Sequence, residues 1–203
     1  LEDGALVEPM AVSLHGVALA KPQPGARVLI IGAGPIGLAA AYWSRHMGAS
    51  RIAVTASSSR RAELALIMGA THFIDPADAT PASVNAVLGG PPDIVYEAVG
   101  KVGLVQKCVE YVKPRGTVVV LGLCTPQDHF MPFQLVMKEV TLQASAFYEV
   151  REFELAAEVL DKDPATPRAM VTDIVDLPSM PAMFESLRQR STQCKVLVDP
   201  QRL

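Results

Sequence analysis

The strongest constraint in this sequence is a change of period that repeats along it. Short runs of β-branched and large aliphatic residues recur, and each leads into a longer stretch with apolar residues at helical spacing, closed by glycine or proline. Residues 27–31 form the first run and 36–47 the first helix, stopped at Gly48. Further strands are expected over 51–56, 72–74, 94–97, 117–121 and 140–146, with helices over 60–68, 102–112 and 152–160. Thr80 is placed to cap another helix, with Pro81 at its first position and Gly89-Gly90 at its end. The strands are continuous Val/Ile/Leu runs, not alternating ones, as in strands buried on both faces. Repeated strand–helix units with short loops give an α/β fold, a doubly wound parallel sheet with right-handed crossovers.

The ends break this rhythm. Residues 6–19 read as a helix ahead of the first strand. After Asp163 the chain turns proline-rich, with a strand over 171–177, a helix near 183–189 and a last strand over 195–198. The expected organisation is a sheet domain over 16–148, with 1–15 and 149–203 as flanking pieces of an incomplete second domain. The sequence opens at Leu1, without an initiator Met, inside a segment that reads as structured, so it is expected to be part of a longer chain.

Composition narrows the function. Of 203 residues, 18 are Lys or Arg and 21 Asp or Glu, a formal charge of −3 with no basic stripe, so nucleic acid is not an expected partner. The longest apolar stretch, 28–43, holds three glycines and a proline and reads as strand–turn–helix, so no membrane span is expected. Three scattered cysteines, without Cys-x-x-Cys, make neither a disulfide framework nor a self-contained structural zinc site, and a reducing, cytoplasmic setting follows.

Gly32-Ala33-Gly34-Pro35-Ile36-Gly37 follows the first strand and opens the first helix. Gly32 permits the tight turn, Gly34 lets backbone approach a pyrophosphate, and Gly37 lets helix pack close to strand. The helix N-terminus offers N–H groups and a positive dipole end to phosphates. The pattern alone also fits a sharp turn in a sheet that binds nothing; its place between strand and helix points to a dinucleotide. An NAD site puts Asp or Glu at the end of the second strand. Here Val54-Thr55-Ala56 runs into Ser57-Ser58-Ser59-Arg60-Arg61, with no acid before Glu63. Hydroxyls and guanidinium groups accept a 2′-phosphate that a carboxylate would repel, so NADP(H) is expected over NAD(H), with Ser57, Ser58, Arg60 and Arg61 as contacts. The other reading of these arginines is a solvated first turn. A short-chain dehydrogenase is excluded, because none of Tyr42, Tyr96, Tyr111 and Tyr148 is followed four residues later by Lys. Glu97, at the carboxyl end of its strand, either meets ligand or caps the next turn. Cys124 has no His or Arg nearby in sequence to activate it as a nucleophile.

Several ordered motifs now add up. They are the segment 5–16 with Glu8-Pro9 and His15-Gly16, the glycine loop, Tyr96-Glu97-Ala98-Val99-Gly100, the run from Gly116 to Gly122, and Lys195 to Pro200. Together they resemble the medium-chain dehydrogenase/reductase family, and within it the zinc-dependent alcohol and polyol dehydrogenases, over nearly the whole chain. The resemblance implies a Rossmann domain inserted into a mainly β catalytic domain, of which this chain holds only the C-terminal part. It implies an oxidoreductase that moves hydride between a small-molecule alcohol or carbonyl substrate and NADP, with zinc polarising the alcohol oxygen in the intact enzyme. Glu8 matches the position of a zinc ligand seven residues ahead of His15; its other reading is a capping or ion-paired Glu, and His15 reads as packing.

By the same resemblance Pro35 and Ile36 complete the phosphate loop and Ala98 and Val99 meet a ribose. Leu121, Gly122 and Leu123 lie beside the nicotinamide, Ser145 and Phe147 near the same ring, and Lys195 reaches phosphates or ribose. Leu121 and Phe147 equally read as core. The family pairs subunits edge to edge, which implies a homodimer through an edge strand over 135–146. A zinc-free quinone or enoyl reductase of the same family, and a non-catalytic nucleotide-sensing module, stay open beside the alcohol dehydrogenase.

Overall fold

A computed structural model describes residues 3–189 and 192–202; Leu1, Glu2, Arg190, Ser191 and Leu203, all in the expected flanking segments, lie outside the described residues. Six strands make one sheet: β1 (Arg27–Ile31), β2 (Arg51–Thr55), β3 (His72–Ile74), β4 (Ile94–Glu97), β5 (Thr117–Val120) and β6 (Thr141–Ala144). Their order is β3-β2-β1-β4-β5-β6, and every pairing is parallel. Chain direction across the sheet therefore reverses between β1 and β4, which opens a crevice at their carboxyl ends. In register, Ile31 pairs with Thr55 on one side and with Glu97 on the other.

Helices α1 (Gly4–Ala20), α2 (Pro35–His46), α3 (Ala62–Ile67), α4 (Pro81–Leu88), α5 (Leu104–Tyr111), α6 (Pro132–Lys138) and α7 (Val150–Lys162) cover the sheet. Apolar side chains form two clusters. The larger joins α1, α2 and α7 to the sheet through Leu6, Met10, Leu14, Leu38, Trp43, Ala156 and Leu160; the smaller holds Leu29, Val84, Leu88, Val95, Val109 and Val118. The helix ahead of the first strand is thus a core element. The Trp43 indole N–H donates to the Met10 carbonyl at 2.8 Å, and the Ser13 hydroxyl lies 2.8 and 3.0 Å from the Pro9 and Ile36 carbonyls. The Glu152 carboxylate sits 2.9 and 3.1 Å from His15 Nδ1 and accepts the Glu149 N–H, so one side chain caps α7 and docks it on α1.

α8 (Ala165–Arg168), β7 (Val171–Val175), α9 (Met180–Ser186) and β8 (Lys195–Val198) complete the chain. β7 and β8 pair in parallel as a separate two-stranded sheet.

Two expectations are corrected. The strand over 135–146 divides, because Pro132 fixes φ at the first position of α6, Glu139 ends that helix at φ 51°, and only Thr141–Ala144 extends. Lys138, in the helical part, donates its ammonium to the Val109, Glu110 and Val112 carbonyls and so closes the C-terminus of α5. The helix over 60–68 begins instead as a 3-10 turn at Ser59–Arg61 and becomes α-helical at Ala62.

At the amino ends of β1 and β4, Asp93 accepts the Arg27 N–H at 2.7 Å and pairs with Lys113. Burial disfavours its charge, yet Lys113 and the Arg27 donors outweigh burial and hold the carboxyl below its ordinary value. A native carboxyl with a lowered pKa contributes stability above its unfolded value of about 3.9, and that contribution disappears as pH falls through the native value. Urea unfolding followed from about pH 5 down to pH 2 should therefore lose less stability in Asp93→Asn than in the natural chain. At neutral pH, Glu152→Ala should cost about 1–2 kcal/mol, one cap and one docking contact, read as a lowered urea midpoint.

Candidate dinucleotide site

The glycine loop leaves β1 through Gly32 at φ 120°, a conformation that side chains resist; a Cβ there would lie 2.8 Å from the Ala98 carbonyl oxygen. The Gly32 N–H donates to the Thr55 carbonyl, and the Ala98 N–H to the Ile31 carbonyl, so the ends of β1, β2 and β4 are tied together. A Cβ at Gly37 would lie 2.0 Å from the Gly32 carbonyl oxygen. Helix α2 can rest on this loop only with hydrogen there. Gly34 differs. Its φ of −80° suits any residue, and a Cβ there meets nothing within 4 Å. Nothing within the protein requires glycine at 34. It caps α2 ahead of Pro35 and lines the crevice, where bare backbone at a helix N-terminus suits an approaching anion.

The crevice is a cleft of about 720 Å³, inside the range of roughly 300–1,000 Å³ usual for organic ligands. Of the expected contacts, Gly32, Gly34, Ser57, Ser58, Arg60, Arg61, Ala98 and Val99 line it together. Pro35, Ile36, Gly37, Leu121, Gly122, Leu123, Ser145, Phe147 and Lys195 do not. Lys101, Lys107 and Arg188 also line it, and sequence reasoning missed them. Five cations thus face one cleft whose described lining contains no Asp or Glu.

The loop after β2 is organised by two hydrogen-bond sets. Ser59 donates to Asp75, which also accepts the Ala77 N–H at 3.0 Å; the Ser59 hydroxyl and then the Ala77 amide hold that carboxyl below its usual range. This acid, absent from the run after β2, is supplied by the end of β3 and binds Ser59, which lies between the lining residues Ser58 and Arg60. Arg61 donates Nη1 to the Ala33 carbonyl at 3.0 Å and Nη2 to the Gln193 carbonyl. Arg60 is exposed at the cleft wall.

Glu97 is buried, and its Oε1 accepts the Val99 and Gly100 N–H groups at 2.8 and 2.9 Å. It caps the turn after β4. The loops after β4 and β5 touch backbone to backbone, since a Cβ at Gly122 would meet the Gly100 nitrogen at 2.1 Å. Leu121 is core, whereas Phe147 is 81% exposed at φ 60° and Leu123 86% exposed, so Phe147 does not take the core role open to it. Cys194 borders the cleft, where burial pushes its thiol up despite the pull of Arg61 and Lys195; Cys124 rests 3.6 Å from the Pro126 carbonyl.

The cradle, the helix N-terminus and the cation set fit a dinucleotide. Zinc does not find the same fit. Among the described residues no three His, Cys, Asp or Glu side chains converge, and Glu8 is exposed on α1. His15 is engaged by Glu152.

Residues 35–162 match the family described as zinc-binding dehydrogenase. The chain belongs to that family and forms a cofactor-binding portion of a medium-chain dehydrogenase/reductase. It is 30% identical over 207 residues to sorbitol dehydrogenase of Bacillus subtilis, a match spanning 99% of this chain and 58% of the relative. It superposes on 2R,3R-butanediol dehydrogenase from Bacillus subtilis with a TM-score of 0.88 and 27% identity, over 98% of this chain and 58% of that one. The zinc-binding dehydrogenase from Sinorhizobium meliloti bound to NADP matches at TM-score 0.82 and 27% identity, over 98% and 59%. The chain spans a little over half the length of the relatives it matches.

Two glycine substitutions separate folding from binding. Gly34→Ala should leave the urea midpoint unchanged or raise stability by up to about 1 kcal/mol, while weakening dinucleotide binding at least tenfold by calorimetry. Gly37→Ala should lower stability by about 1–3 kcal/mol, because backbone must move to admit its Cβ.

Proposed function

We propose that this chain is the NADP(H)-binding portion of a zinc-dependent alcohol or polyol dehydrogenase. The observation that carries the cofactor choice is the cleft itself, with Arg60, Arg61, Lys101, Lys107 and Arg188 around it and no carboxylate in its described lining. A dinucleotide with a 2′-phosphate brings more negative charge than one without, and every charged side chain of that lining is complementary to it. The relative bound to NADP supports the same choice.

When bound, nicotinamide takes or gives a hydride. The chain's own residues bind and orient. Gly32, Gly34, Pro35, Ile36 and Gly37 present backbone and a helix N-terminus to the pyrophosphate. Ser57, Ser58 and Arg60 take the 2′-phosphate, with Arg61 behind them. Ala98 and Val99 flank a ribose. Gly122, Leu123, Ser145 and Phe147 belong to the nicotinamide end, with Leu121 packed in the core next to them in the chain, and Lys195 belongs to the phosphates or ribose. Residues 16–148 act as the dinucleotide domain, and 1–15 with 149–203 meet the remainder of a longer protein. Zinc dependence belongs to that longer protein, in which Glu8 would be the ligand that this chain contributes.

The substrate is a small alcohol or carbonyl compound, as the names of the relatives suggest. Among the described residues no helix is long and apolar enough to cross a membrane, and a cytoplasmic location is proposed. A homodimer is proposed through β6, the last strand of the sheet, where Leu142 is exposed, as are Phe133, Val136 and Met137 of the preceding α6. Sedimentation should then show a dimer that Leu142→Lys dissociates; a monomeric natural chain sinks that part.

Parallel calorimetric titrations with NADPH and NADH at fixed ionic strength test the cofactor. NADPH should bind at least tenfold tighter, about 1.4 kcal/mol, and Arg60→Glu should abolish the difference. Equal or NADH-favoured binding would refute the NADP assignment.

A further inference from the structure

The two adjacent arginines of the β2 loop are held differently, and the difference reaches the far end of the chain. Arg60 is exposed at the cleft wall. Arg61 is half-buried and its guanidinium joins two backbone carbonyls separated by 160 residues of sequence, Ala33 in the glycine loop and Gln193 ahead of β8. Both carbonyls belong to cleft-lining residues. One planar fork therefore connects the loop that cradles phosphates, the loop after β2 and the C-terminal segment that walls the cleft through Leu187, Arg188, Gln189, Gln193 and Cys194.

We propose that Arg61 is a positioning residue that bolts the C-terminal wall of the cleft to the glycine loop, while Arg60, with Ser57 and Ser58, takes the 2′-phosphate. The division of labour between the arginines rests on the NADP reading; the bolt does not. A guanidinium spent on two neutral carbonyls has a fixed place, and the wall that its two hydrogen bonds hold serves either dinucleotide alike. The segment it fixes leads directly into β8 and its pairing with β7. The Cys194 N–H donates to the Thr172 hydroxyl at 3.0 Å, and the Lys195 N–H to the Met170 carbonyl at 2.9 Å. Both hydrogen bonds break when the segment lifts, so exchange at these two amides reports on the bolt.

Amide hydrogen exchange of the cofactor-free chain and dinucleotide titration are the paired measurements. Arg61→Gln should speed exchange in the peptide covering 193–198 by about tenfold and weaken NADPH and NADH by a common factor. Arg60→Gln should leave that exchange unchanged and weaken NADPH alone. Arg61→Lys, which keeps the charge but not the fork, should resemble Arg61→Gln in exchange; it stands in if the glutamine variant fails to fold. Unchanged exchange in the Arg61 variants, or a loss confined to NADPH, overturns the bolt. If the natural chain binds neither dinucleotide, the functional reading fails while the exchange result still decides whether Arg61 holds the segment.

Discussion

The contact on which the rest of this structure depends is the approach of α2 to the loop that leaves β1. A Cβ at Gly37 would fall 2.0 Å from the Gly32 carbonyl oxygen, a separation that non-bonded carbon and oxygen do not tolerate. With hydrogen in that place, the helix starts directly over the end of its strand. Its first turn then faces the crevice where the sheet reverses direction, and Leu38 and Trp43 sit in the larger core cluster. α1 follows from the same placement, since Trp43 reaches the Met10 carbonyl and Ser13 the Ile36 carbonyl. α7 then docks on α1 through the pair of His15 and Glu152.

That dependence explains what could be read from residues alone. Parallel strands buried on both faces are continuous aliphatic runs, and helices between them end at glycines, so 27–31 and 94–97 carry their own boundaries. The glycine loop is legible for the same reason, because its demands are steric and local. The segment 135–146 was not legible as it folds. Leu135, Val136 and Val140 fit strand or helix equally, and the outcome turned on Pro132 at one end and Glu139 in a left-handed conformation at the other.

The site was legible only where it is local. Ser57, Ser58, Arg60 and Arg61 come from one loop, and the two glycines that line the cleft from another. Lys101 follows the Tyr96–Gly100 motif and Lys107 lies one helical stretch further, but neither they nor Arg188 belongs to a motif, so only the fold brings them to the same wall. Asp75 shows the converse. The local run after β2 holds no acid, yet the neighbouring strand delivers one to Ser59. Glu97 shows how a residue at the ligand-binding edge of a sheet can be wholly engaged in holding backbone, here the Val99 and Gly100 amides.

The cation-lined cleft has a consequence beyond occupancy. The chain as a whole is negatively charged, at −3, while the described lining of its cleft carries five positive side chains and no negative ones. Such a molecule is electrically two-faced. Its body repels a polyanion and its cleft draws one in, so the field guides encounter toward a single opening. A field of this kind does not distinguish one compact polyphosphate from another, and its reach is set by ionic strength.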